Sequence, residues 1–201
     1  MSYCAKRSWR DIQIILEGSP VRALALLATG LGLSGCADTS IVHYSYYNSA
    51  YTPSHVDLAA ASGQSLAVIR NNPFPEDIDN RGVVAAMQGR NFGQKMYFAQ
   101  VERPDDKYGY KVILDFSGQR GGYDQCAQPP SPAAQTKPTG EISVLGTFCV
   151  GDVLLTDALG SIGGAVGPED PRFQQLIGDI MVALTPPYIP DRHRHCPMRR
   201  C

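Results

Sequence analysis

The chain has 201 residues, 43% hydrophobic, 18% charged and 8% aromatic, with 18 Lys and Arg against 19 Asp and Glu. That apolar share excludes a wholly disordered chain, and the near-neutral balance leaves no composition argument for a nucleic-acid partner. No stretch reaches the roughly 20 apolar residues of a spanning helix, which excludes a polytopic membrane protein, and 20 Gly with 15 Pro imply one domain rich in loops.

The first informative segment is Ala23 to Leu33, ALALLATGLGL, preceded by Arg22 and followed at once by Ser34, Gly35 and Cys36. An apolar run ending in small residues has the form of a secretory signal's central region and cleavage site. As a helix it covers only about 16 Å, against a hydrocarbon core of about 30 Å, so it can engage a translocon without spanning.

Leu33-Ser34-Gly35-Cys36 resembles the lipobox of bacterial lipoproteins, in which Leu, a small residue, Gly or Ala, and Cys are read by the lipoprotein signal peptidase. The resemblance covers residues 1–36 only. It implies a diacylglyceryl group on the Cys36 thiol, cleavage before Cys36 and acylation of the new amino terminus. Leu33, Ser34 and Gly35 become peptidase recognition residues, and residues 1–35 the signal peptide. The 22 residues before the apolar run exceed the usual leader, so residues 1–20 are read as an over-extended gene start, with initiation at Val21. Two or more fatty chains give stable anchoring. Ala37 stands where an Asp retains such proteins in the inner membrane, which implies the periplasmic face of the outer membrane; Asp38, one position later, keeps the inner membrane as the alternative.

Cleavage leaves 166 residues with 14 basic and 17 acidic side chains, enough for one core. Arg192, Arg194, Arg199 and Arg200 against Asp191 make the tail basic and the body acidic. Cys126, Cys149, Cys196 and Cys201 remain for disulfides in an oxidising compartment, where four cysteines allow three pairings. Pairing near neighbours favours Cys126 with Cys149 and Cys196 with Cys201.

Residues 36–64 are polar and small, crowd Tyr44, Tyr46, Tyr47 and Tyr51 together, and read first as the lipidated Cys and a tether. A strand added to the domain, or an aromatic contact patch, suits the same tyrosines. The single domain is expected over residues 65–186. Ser65 to Arg70 reads as a buried strand between Gly63 and Asn71-Asn72-Pro73. A helix follows from Pro75, with Glu76, Asp77 and Asp79 in its first turn and Ile78, Val83, Val84 and Met87 on its apolar face. Met96 to Glu102 and Tyr108 to Phe116 are expected to pair as a hairpin across residues 103–107. Residues 117–140 lose all periodicity and form a long loop. Ile142 to Val150 and Val153 to Ala158 make a second hairpin about Gly151-Asp152. In the last helix Asp170 is the N-cap, Pro171 takes the first position, and Phe173, Leu176, Ile177, Ile180, Met181 and Leu184 recur on one face until Pro186-Pro187. These elements predict an α+β two-layer sandwich: a mixed or antiparallel sheet of four to five strands with two helices on one face. Residues 187–201 form a basic, solvated tail.

Little in the chain carries chemistry. Gly160-Ser161-Ile162-Gly163-Gly164 lacks the glycine two places before serine that a nucleophile elbow needs, since Leu159 is there, and reads as a loop. The carboxylates at Glu76, Asp77, Asp79 and at Asp105, Asp106 are sequence neighbours suited to capping and solvation. His43 lies in the expected tether and His55 in its continuation, with no partner close in sequence. His193, His195, Cys196 and Cys201 are weak candidate ligands for zinc or copper, with no standard module spacing. No cofactor is expected. The reading is a lipid-anchored envelope protein that binds a protein partner or assists assembly. The alternatives are an envelope enzyme, in which His55 meets an acidic cluster across a cleft, and a metal-binding protein acting through its tail.

Overall fold

The computed structural model describes residues 40–74, 80–100, 109–117, 123–127, 140–165 and 167–189, all within one compact unit, residues 38–201. In chain order the elements are β1 (Ile41–Tyr47), α1 (Ser54–Ala61), β2 (Gln64–Arg70), α2 (Asn80–Met87), β3 (Tyr97–Ala99), β4 (Tyr110–Asp115), β5 (Glu141–Val150), β6 (Val153–Gly163) and α3 (Pro171–Leu184). A short 3-10 turn, Tyr123–Cys126, falls within the segment expected to be a long loop, the rest of which is mostly outside the described residues. Six strands form one mixed sheet in the order β1-β6-β5-β4-β2-β3. The protein is α+β, with one strand and one helix more than expected.

Both additions come from the segment read as a tether. β1 pairs antiparallel with β6, Tyr47 opposite Thr156 and Ile41 opposite Ser161, with an irregularity at His43 between Val42 and Tyr44. That bulge breaks the two-residue alternation by which a strand is recognised. α1 is eight residues long, has no side-chain N-cap and buries only Val56 and Ala59, so it leans on tertiary packing. Tyr51 is fully buried and its hydroxyl donates to the Pro186 carbonyl at 2.8 Å. Burial first, then Tyr47 and Asp57, pushes this phenol far above its ordinary range. Tyr51 therefore stitches this segment to the chain just beyond α3.

The expected hairpin of residues 96–102 with 108–116 is not formed. β3 and β4 lie on either side of β2 and both run parallel to it. Two strands parallel to a common neighbour run in the same direction, and a five-residue turn cannot join strands in that relation. The β5–β6 hairpin does form about Gly151-Asp152. β6 continues through Gly160-Ser161-Ile162-Gly163, which sequence alone assigned to a loop. α2 starts at Asn80 and buries Val83, Val84 and Met87; residues 75–79 lie outside the described residues.

α3 matches its expected start and face. Asp170 accepts from the Arg172 backbone N–H at 2.9 Å, Pro171 sits in the first turn, and the six expected apolar residues are all buried. Buried residues from all three helices share one cluster with Val112, Leu114, Val144 and Phe148 of the sheet. A second cluster gathers Ile113, Leu154 and the cysteines Cys126 and Cys149. Alternation puts neighbours such as Val112 and Ile113 on opposite sheet faces, so the two clusters occupy the two faces.

Two glycines let α3 approach β5 and β6. A β-carbon at Gly146 would lie 2.5 Å from Ile180 Cγ2 and 3.1 Å from Leu184 Cδ1. One at Gly160 would lie 3.0 Å from Leu176, 3.1 Å from Ile180 and 3.1 Å from the Ile41 carbonyl. This close approach is why a glycine stands inside a strand. Gly146→Ala is expected to overpack this contact and destabilise the fold by about 1–3 kcal/mol in urea unfolding. Gly167→Ala, where nothing lies within 4 Å, is the neutral control.

Candidate functional site

Cys126 and Cys149, 23 positions apart in sequence, form a disulfide with Cα atoms 5.9 Å apart. Cys126 ends the 3-10 turn and Cys149 lies near the end of β5, so the bond ties that turn to the sheet. Tyr46 and Val68 pack against the same cluster. Leu33, Ser34, Gly35, Cys36, His193, His195, Cys196 and Cys201 lie outside the described residues, as do Glu76, Asp77, Asp79, Asp105 and Asp106.

Two buried charged residues were not selected by sequence reasoning. Asp157 is 4% exposed, stands opposite Tyr46 on β1 and Thr147 on β5, and its Oδ1 has no hydrogen-bond partner. Burial raises its carboxyl to about 6, partly offset by a backbone hydrogen bond from Tyr46. Arg70, also 4% exposed, ends β2 and donates to the Gln125 side chain at 3.0 Å and the Gln125 carbonyl at 3.4 Å. Next to it Asn71 adopts a left-handed backbone at φ 52° and donates to Asp115 at 2.8 Å, while the Ser117 N–H donates to the same oxygen at 2.9 Å. This polar group sits at the carboxyl ends of the parallel strands β2 and β4.

Both described histidines have partners that lie far away in sequence. His43 Nε2 is 2.7 Å from Ser161 Oγ, across the β1–β6 pairing. A serine nucleophile needs an exposed elbow and nearby free N–H donors. Ser161 is 7% exposed inside β6, flanked in register by Ile41 and Ser143, so the contact fits a strand bulge better than a dyad. His55 Nε2 lies 3.1 Å from the Ala50 carbonyl, which can only accept, so Nε2 carries the proton and Nδ1 accepts from the Tyr110 hydroxyl at 2.9 Å. His55 also stacks on Tyr51, and Tyr110 on Phe148. The ring latches α1 to β4, with both nitrogens engaged. Among the described residues no group of three or more His, Cys, Asp or Glu could hold a metal ion.

Among the described residues a concave feature lies between α2 and the edge strand β3. A groove of about 420 Å³ is lined by Val84, Ala85, Phe98 and Ala99, with Arg81, Gln88 and Gln100 around them. The Gln88 side chain donates to the Phe98 carbonyl at 3.0 Å and accepts from the Phe98 N–H at 2.9 Å. One amide thus takes the place of a neighbouring strand on the outward edge of β3. Tyr97 is exposed beside it. An apolar floor with amide and guanidinium groups suits holding a ligand or a partner's side chain by contact and hydrogen bonding. Sequence missed this groove because α2 and β3 assemble it across the residues that part them.

Two outcomes test this chemistry. Asp157 is raised in the folded state above the 3.8 of an ordinary carboxyl, so the folded chain binds the extra proton as pH falls. Stability should rise as pH drops through about 6 and level off below 3.8. Asp157→Asn should remove that rise and add about 1–3 kcal/mol at neutral pH, read by thermal unfolding across pH. Reducing the Cys126–Cys149 bond should lower stability by about 3 kcal/mol in urea unfolding. No family model, no curated protein and no solved structure matches this chain, so the functional reading rests on its own residues.

Proposed function

We propose that this chain is a lipid-anchored protein of the cell envelope whose α+β domain acts as a binding or assembly module. The observation that carries the reading is the apolar run ending in Leu33-Ser34-Gly35-Cys36, whose form matches a lipoprotein processing site. The Cys126–Cys149 bond supports it independently, because structural disulfides persist in oxidising compartments such as the periplasm. No helix among the described residues is long and apolar enough to cross a membrane; in this reading the attachment is the lipid on Cys36. Ala37 favours the outer membrane's periplasmic face over the inner membrane.

A contact role draws support from the groove of α2 and β3, where an apolar floor carries hydrogen-bonding side chains. The exposed rings of Tyr97 and Phe92 add apolar surface on the domain. For the architecture, the reading is two layers, with the helices on one sheet face. Its support is the single cluster that takes buried side chains from all three helices, while the disulfide cluster takes none.

Intact mass of the chain extracted from membranes tests the anchor. The expected mass is residues 36–201 plus three acyl chains, rising by two hydrogens for each disulfide reduced. Cys36→Ser should abolish acylation and leave the protein out of the membrane fraction. An unprocessed, unacylated chain would overturn the proposal.

A further inference from the structure

The folded domain begins almost where the lipid would end. The Ser40 hydroxyl donates to the Asp179 carboxylate on α3, and Ile41 opens β1 opposite Ser161. Only Ala37, Asp38 and Thr39 separate Cys36 from this first fixed point. An extended chain advances at most about 3.3–3.6 Å per residue, so the four steps from Cys36 to Ser40 reach about 14 Å at most. The headgroup layer takes up roughly 5–8 Å of that reach. By contrast β5, with ten residues, is about 34 Å long. The leash is less than half the length of a strand it must carry.

We propose that the domain rides directly on the membrane surface, with the Ile41 end of the sheet against the lipid headgroups and the β5–β6 turn pointing away. This rests on acylation at Cys36. At the near end lie Ile41, 55% exposed, Glu141 opposite Gly163, and the amino end of α3, where Arg172 donates to the Gly164 carbonyl. An exposed aliphatic side chain next to the attachment point suits the interfacial layer. At the far end lie the Gly151-Asp152 turn and Val153.

The carboxyl end of α3 is held away from the membrane as well. The Leu184 carbonyl accepts from Thr156 Oγ1 at 2.7 Å, and Thr156 stands opposite Tyr47 at the other end of β1 from Ile41. Six residues of strand put that point about 20 Å from the anchored end. The carboxyl end of α3 therefore lies on the membrane-distal side.

Energy transfer from a headgroup-labelled lipid tests the orientation, using the full acylated chain in liposomes with a genetically encoded fluorescent residue in place of Glu141 or Val153. The two positions stand about 31 Å apart along the β5–β6 hairpin. The label at 141 should transfer several-fold more efficiently than the label at 153. Inserting about twenty Gly-Ser residues between Asp38 and Thr39 should lower transfer at 141 and erase the difference. Equal transfer from the two labels on the native leash, or no response to the insertion, would overturn the orientation while leaving the anchor intact. A mass without acyl chains, measured on the same sample, would overturn the lipid reading beneath it.

Discussion

The approach of α3 to β5 and β6 is the contact on which the rest of the molecule depends. Ile180 reaches both Gly146 and Gly160, so one side chain keys the helix to two strands at once. From that seat the helix organises what surrounds it. Asp179 receives Ser40 at the start of β1, Gln174 receives Arg90 through its carbonyl at 2.8 Å and its side chain at 3.1 Å, and the Phe92 N–H donates to Thr185 at 2.9 Å. Phe173 adds edge and stacking contacts with Phe74 and Phe116, which close the ends of β2 and β4. Remove the close seat and each of these contacts loses its register together, since packed interiors transmit displacement rather than absorb it.

The opposite sheet face is built on different chemistry. There a small apolar cluster surrounds a covalent bond, and in β6 the Asp157 carboxyl is buried with one unpartnered oxygen. A buried, unpaired carboxylate opposes folding, while a disulfide favours it by restricting the unfolded chain. The two offset each other within one face, which makes the stability of that face sensitive to both pH and redox state.

How far the candidate site was legible depends on the range of its contacts. The cysteine pairing could be favoured from spacing, because Cys126 and Cys149 are near neighbours on the chain. His55 and Tyr110 are 55 residues apart, and His43 and Ser161 are 118 apart. No local pattern announces such pairs. The groove of α2 and β3 fell in the same blind spot: Val84 and Phe98 carry the apolar spacing of buried faces, and nothing in that spacing says which apolar residue will border an opening. Asp157 was invisible for a related reason, since nothing local to an isolated Asp in a strand announces that it will be buried.

The helix α3 shows what a sequence determines unaided. Its cap, first-turn proline and apolar face all lie within one run of fifteen residues, from Asp170 to Leu184, and each follows from local hydrogen bonding and the 3.6-residue period. The β5–β6 hairpin was equally local, because a two-residue turn brings its strands together. By contrast, β1 and α1 are short and irregular, so packing on β6 and the core decides their structure. The strand order was also decided at that level: β2 inserts between β3 and β4, and strand direction there is set by which edges and faces meet in three dimensions. Glycine has both roles in this chain. At Gly151 it serves a turn that sequence could read, whereas at Gly146 and Gly160 it makes room for side chains of α3 that lie at least sixteen residues further along the chain, a demand that only the assembled tertiary structure expresses.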